Sequence, residues 1–171
     1  MHSSPRVVFS RFRDGDDPLL LAWSRFRSSL DVLPVDEAPA SRDRRRTPDV
    51  DRTVWRVLAS NNREVVRSAR VYPSYDEAQR DALLAQQRVA DLELHIVRGP
   101  VAGAYGWVVS LDDRAVATSS RWYPSSMCAE SATGALALLA RVDVAGGTWT
   151  YGRSRRGSQS ETAPRQPSAM R

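Results

Sequence analysis

Residues 63–74 read Arg63-Glu64-Val65-Val66-Arg67-Ser68-Ala69-Arg70-Val71-Tyr72-Pro73-Ser74, and residues 114–125 read Arg114-Ala115-Val116-Ala117-Thr118-Ser119-Ser120-Arg121-Trp122-Tyr123-Pro124-Ser125. At a constant offset Arg63 matches Arg114, Val65 matches Val116, Ser68 matches Ser119 and Arg70 matches Arg121. Tyr72-Pro73-Ser74 matches Tyr123-Pro124-Ser125. Self-similarity at a fixed spacing marks a duplicated structural unit and constrains the architecture before any other feature does. It leaves the chemistry open.

Outward from these stretches, the elements repeat. Trp55 to Ala59 is an apolar strand signal, Ser60-Asn61-Asn62 a turn in which Asn tolerates positive φ, and Glu64 to Val71 a return strand. Pro73 has no amide hydrogen for the ladder and stops it. Ser74-Tyr75-Asp76-Glu77 is a capping box, predicting a helix to about Ala90 with Tyr75, Ala78, Ala82, Ala85 and Val89 inward. In the second unit Leu92, Leu94 and Ile96 alternate with polar or smaller residues as a half-buried strand does. Tyr105 to Leu111, the Asp112-Asp113 turn and Ala115 to Trp122 form a hairpin. Ser125 or Ser126 then caps a helix to about Val142, with Ala129, Ala132, Leu136 and Leu139 inward and Cys128 where the capping-box Glu would stand. Trp55 precedes Arg63 by one residue more than Trp107 precedes Arg114, which implies a bulge or longer turn in one hairpin. The first unit lacks an equivalent of strand 92–97.

The expected fold is α+β: tandem ββ(β)α repeats, about 54–91 and 92–145, forming an antiparallel sheet with a helix from each repeat packed on it. Residues 54–145, with ten arginines against ten acidic residues, are expected to fold alone. Residues 1–53 read as a poorly ordered extension. Within it Asp17 and Pro18 begin a short helix whose apolar face is Leu19, Trp23, Phe26 and Leu30, fitting either a docking helix or a disordered stretch. Residues 34–53 read as a linker. A further reading makes the segment an upstream extension, with initiation at a valine such as Val50 or Val54. Residues 146–171 carry five arginines against one acidic residue and read as a disordered basic tail.

Composition excludes several classes. All 25 basic residues are arginine, so lysine Schiff-base chemistry and a phosphate-loop lysine are unavailable. One cysteine, Cys128, forms no internal disulfide and fits a reducing, cytoplasmic setting. No apolar run nears the roughly 20 residues of a membrane helix, so no membrane association is expected. The net charge of +5 sits in the tail rather than in the repeats.

The order of strand, hairpin, Ser and Tyr late in the second strand and capped helix, in tandem, resembles the YegP-like family of unknown-function domains. The carriers are Asn61-Asn62-Arg63-Glu64-Val65-Val66 with Ser68 and Tyr72, and Ala115-Val116-Ala117 with Ser119, Tyr123 and Gly134. The resemblance covers about residues 54–145. It implies a small α+β domain with an antiparallel sheet and brings no catalytic residue with it.

Ser68, Arg70 and Tyr72 are two apart, as are Ser119, Arg121 and Tyr123, so each trio shares a strand face. One reading is a duplicated anion or peptide site, with Arg as the fork and Ser and Tyr as donors. The other is structural, with Ser and Tyr tying the strand end to the helix start. Cys128 lacks a nearby base and reads as a buried thiol; one Cys and two distant His, His2 and His95, make no zinc set. No nucleophile–base pair is visible, and neither catalytic residue, metal nor cofactor is expected. Trp55, Trp107, Trp122, Tyr105 and Tyr123 would serve nucleic-acid stacking only beside a basic groove, which the neutral repeats lack. The functional expectation is a non-enzymatic cytoplasmic domain acting through protein contacts or self-association, because the strand missing from the first unit leaves an unpaired sheet edge. The alternative is nucleic-acid or regulatory ligand binding through the Arg-rich tail and the Arg70/Arg121 face, with nucleic acid held only weakly through the tail.

Overall fold

The computed structural model describes residues 4–30 and 52–151. Its strands are β1 (Arg6–Phe12), β2 (Arg52–Leu58), β3 (Glu64–Ser68), β4 (Glu93–Arg98), β5 (Ala104–Leu111), β6 (Arg114–Thr118), β7 (Tyr123–Pro124) and β8 (Thr148–Tyr151). The helices are α1 (Pro18–Ser28), α2 (Tyr75–Gln87) and α3 (Ser125–Leu139), with a 3₁₀ turn at Val89–Asp91. The protein is mixed α+β with one open eight-stranded sheet in the order β4-β5-β6-β3-β2-β1-β8, and β7 pairs with β5.

Two antiparallel three-stranded meanders, β1-β2-β3 and β4-β5-β6, meet along β3 and β6. The first strand of the first meander is β1, from a segment expected to be poorly ordered. It pairs antiparallel with β2 from Arg6↔Leu58 to Phe12↔Arg52. The unpaired edge predicted beside β2 is therefore filled by the chain itself. β8, from the stretch expected to be a disordered tail, pairs parallel with β1, so the sheet is not wholly antiparallel. The linker core (residues 31–51) and the tail beyond Tyr151 lie outside the described residues.

Alternation along the strands divides the core between two faces. Trp107 and Val109 join the main cluster under α2 and α3, whereas Val108 between them packs with Leu30 and Phe26 at the end of α1. Trp55 and Val57 likewise face α2 and α3, while Val54 packs with Leu20 and Trp23. Asp17 accepts from the Leu19 amide at 2.8 Å with Pro18 at the first helical position, as the sequence predicts. The inward residue is Leu20 rather than Leu19, which is exposed; Trp23, Phe26 and Leu30 do pack against the sheet. Gly106 makes that approach feasible: a Cβ there would lie 2.8 Å from Leu30 Cδ2 and 2.9 Å from Trp122 Cζ3.

The α2 prediction holds at Ala78, Ala82 and Ala85, with Ser74 accepting from the Glu77 amide at 3.2 Å. In α3 the buried face is Cys128, Ala132, Ala135 and Leu139, so Ala129 gives way to Cys128 and Leu136 to Ala135. Pro124 occupies the N-cap and no side chain caps the helix, in place of the expected Ser125 or Ser126. Both hairpins carry register shifts, at Val57/Leu58 and Val109/Ser110. Asp112 and Asp113 both have positive φ, the geometry of a two-residue type I′ turn. No helix among the described residues is long and apolar enough to cross a membrane.

Val7 and Phe9 are fully buried in the same cluster as Trp55, Trp107 and Leu139, so the core crosses the boundary expected near residue 54. A fragment of residues 54–145 loses β1, α1 and β8 and is expected to melt without cooperativity, while the full chain melts in one transition. Phe9→Ala should cost about 3–5 kcal/mol, the range for truncating a buried aromatic, read from denaturant midpoints. A cooperative fragment with the full-chain midpoint would contradict both.

Candidate functional site

The repeated stretch marks a widening of each hairpin. Between the pairs Arg56↔Arg67 and Thr53↔Tyr72, β2 contributes two residues and the returning chain four. Between Val108↔Thr118 and Tyr105↔Tyr123 the same excess recurs. A bulge of this kind breaks the ladder and turns side chains to new directions. Ser68 Oγ fills the first gap, accepting from the Trp55 amide at 3.3 Å and donating to the Arg70 carbonyl at 2.9 Å. Ser119 Oγ fills the second, accepting from the Trp107 amide at 3.2 Å. Both serines are fully buried. Both complete the sheet at the gap, and Ser68 Oγ has both its donor and an acceptor position engaged.

The bulge carries Arg70 and Tyr72 toward α2, where they meet Asp81, a residue absent from the sequence prediction. Arg70 Nη2 donates to Asp81 Oδ1 at 2.8 Å. Tyr72 Oη donates to Asp81 Oδ2, and Trp55 Nε1 donates to the same oxygen at 3.3 Å. The guanidinium lies 5.0 Å over the Tyr72 ring. Burial first, then the neighbouring carboxylate, pushes the Tyr72 phenol well above its ordinary value. Burial alone would lower the Arg70 value, but Tyr72 and Asp81 outweigh it and raise it. Asp81 precedes buried Ala82 on α2, so its helical position alone looks like a half-exposed flank; the tertiary approach of the bulge gives it its partners.

The second trio has the same backbone and a different outcome. Arg121 lies 5.4 Å over the Tyr123 ring. The helical position matching Asp81 is Ser131: each is the seventh residue of its helix and each precedes a fully buried alanine. Trp107 is fully buried, and among the described residues its Nε1 has no hydrogen-bond partner; the Arg121 Nε is also buried without one there. Ser131 does not supply the acceptor that Asp81 supplies at the first site.

Elsewhere several polar groups pair with one another, although among the described residues Thr53 Oγ1 and the Arg56 Nε are also buried without a hydrogen-bond partner. On the α1 face a cleft of about 480 Å³ is lined by Trp23, Phe26, Val54, Arg56, Glu64 and Arg67 among others. Glu64 there binds Arg67 at 2.6 Å and Arg56 at 3.5 Å. His95 shares a 2.9 Å hydrogen bond with Ser110. Cys128 is buried, and desolvation pushes its thiol up, away from the thiolate a nucleophile needs.

Asp81→Ala strands three donors, one of them the partly exposed Arg70. It should cost about 2–3 kcal/mol in denaturant titrations. Tyr72 also predicts an alkaline limit. Its native value is raised, so stability from the neutral phenol is complete below the unfolded value of about 10 and falls as pH rises past it. Tyr72→Phe should flatten the loss of stability above that pH; an unchanged alkaline slope would show that Tyr72 does not govern it.

No family model matches the chain, and no curated protein matches it. Among solved structures it is similar to the solution NMR structure of the protein of unknown function yegP from E. coli, with 11% sequence identity and a TM-score of 0.46, covering 88% of this chain and 95% of that one.

Proposed function

We propose that this protein is a non-enzymatic domain that acts through protein contacts, and that the contact is self-association along the free edge of β4. One observation carries the reading: of the two terminal strands, each flanked on one side only among the described strands, β8 is four residues long and β4 is six, so β4 presents the longer free ladder. An uncovered edge presents a row of backbone donors and acceptors to another chain. Leu94 and Ile96 lie across from Val109 and Trp107, on the α3 face, yet remain 40% and 46% exposed. An antiparallel second copy centred on His95 sets Leu94 opposite the second copy's Ile96, and the reverse. Cross-strand apolar pairs of this kind stabilise a sheet.

The strand order supports reading the chain as two copies of one unit: strand, hairpin with a serine-filled bulge, and helix. On that reading β1 and β4 are counterparts, and the β4 edge stands where the chain has added β8 in the other half. A second functional reading, regulatory ligand binding at the strand face, is favoured at Arg121 and not at Arg70, because Arg70 is already paired with Asp81.

Sedimentation velocity over a concentration series tests the first reading. The wild type should show a concentration-dependent dimer, and Ile96→Lys should be monomeric with a nearly unchanged melt, since the side chain is half exposed. A wild type that stays monomeric throughout, or an Ile96→Lys chain that still dimerises, would sink it.

A further inference from the structure

The first Trp–Arg–Tyr group shows what such a group binds. One carboxylate oxygen of Asp81 takes the Trp55 indole and the Tyr72 phenol, and the other takes the Arg70 guanidinium. Every member of that arrangement except Asp81 recurs in the second half. Thr53 and Tyr72 exchange both backbone hydrogen bonds at 2.8 Å, and Tyr105↔Tyr123 is the matching pair, which sets Trp107 where Trp55 stands. The serine bond to the tryptophan amide is 3.3 Å in one half and 3.2 Å in the other. The arginine lies over the tyrosine ring in both.

We propose that the Trp107–Arg121–Tyr123 group binds a carboxylate supplied from outside the chain, in the place that Asp81 fills at the Trp55–Arg70–Tyr72 group. The inference rests on the ligand reading of Arg121 and is independent of self-association through β4. An indole nitrogen only donates, as does a guanidinium, so two buried donors without partners call for an acceptor, and an anion is the acceptor that also answers the charge. A carboxylate serves them better than a halide, because its two oxygens reach the indole and the guanidinium separately, as Asp81 does. Ser131, at the helical position that Asp81 holds in the other half, brings no carboxylate. Arg121 and Ser131 are each half-buried, and Ile96, directly across from Trp107, is 46% exposed, so the group lies near the open edge of the sheet.

The indole N–H resonance of Trp107, assigned by its loss in Trp107→Phe, reports occupancy directly. Acetate added to the full chain at constant ionic strength should shift it saturably, while chloride should not. Arg121→Gln should weaken acetate about tenfold or more, the size of a lost charged hydrogen bond. Ser131→Asp should move the resonance to its bound position without ligand and abolish the response. Blocked aspartate (N-acetylated and amidated) separates the two sources of a carboxylate. A stronger response than to acetate assigns the acid of a partner protein, and a response to acetate alone assigns a small free acid. No shift with either carboxylate, an equal shift with chloride, or a shift that survives both Arg121→Gln and Ser131→Asp would overturn the proposal. Sedimentation of the same samples keeps this result apart from any change in association.

Discussion

A serine hydroxyl takes the place of a backbone carbonyl at the point where each hairpin widens, and much of the molecule hangs on that substitution. Without Ser68 the Trp55 amide would be a buried donor facing a gap in the ladder, and the same holds for Ser119 and Trp107. With the gap filled, the chain can insert two extra residues, rejoin its partner strand at Tyr72 or Tyr123, and turn at once into a helix. The bulge thereby fixes where α2 and α3 begin, which face they cover, and which way the arginine and tyrosine point. On the opposite face it also presents the Ser68 and Ala69 carbonyls, which take Trp23 Nε1 at 3.2 Å and Arg27 Nε at 3.0 Å and so seat α1.

The two halves are joined by a short ladder. β3 and β6 pair only at Arg67↔Thr118 and Ser68↔Ala117, extended by the Ala69 amide on the Val116 carbonyl. What holds the halves is the layer beneath, where residues of both meanders share one apolar cluster with the small faces of α2 and α3. Gln86 completes the junction. Its amide at the end of α2 donates to the Leu139 and Val142 carbonyls at 2.7 and 2.6 Å, satisfying one carbonyl in the last turn of α3 and one in the segment that follows it. A helix end in one half is thus capped by a side chain from the other.

The repeated stretch made the hairpins, both turns and both helices legible, because each depends on local chemistry: Asn or Asp at positive φ, proline at a ladder's end, serine before a helix. β1 was not legible. Val7, Val8 and Phe9 are buried on both faces, so they show no alternation, and the run is cut short by Ser10 and Arg11. β8 was hidden by its glycine- and arginine-rich surroundings, though Thr148-Trp149-Thr150-Tyr151 has strand character. The constant offset of the repeat also misled at α3. Ser74 caps α2, but Pro124 stands at the cap of α3, so the helices correspond one residue out of step with the strands. Read at the strand offset, Asp81 falls on Ala132; read at the helix offset, it falls on Ser131. Only the second comparison exposes the missing carboxylate.

That missing group separates structural from functional readings of the two trios. At Trp55, Arg70 and Tyr72 the polar atoms converge on a carboxylate that the chain supplies, which accounts for the residues as structure alone. At Trp107, Arg121 and Tyr123 packing accounts for the rings but not for the donors. A tryptophan kept only for its apolar area has no need to leave its indole nitrogen unpartnered, since phenylalanine fills a core without that cost. Arg121 adds a charge whose buried nitrogen is unanswered within the described residues. Buried donors without acceptors are destabilising unless something outside the fold pairs with them. Among the described residues the second trio therefore leaves the Trp107 indole and the Arg121 Nε unanswered, where the first trio brings its indole and its guanidinium to Asp81.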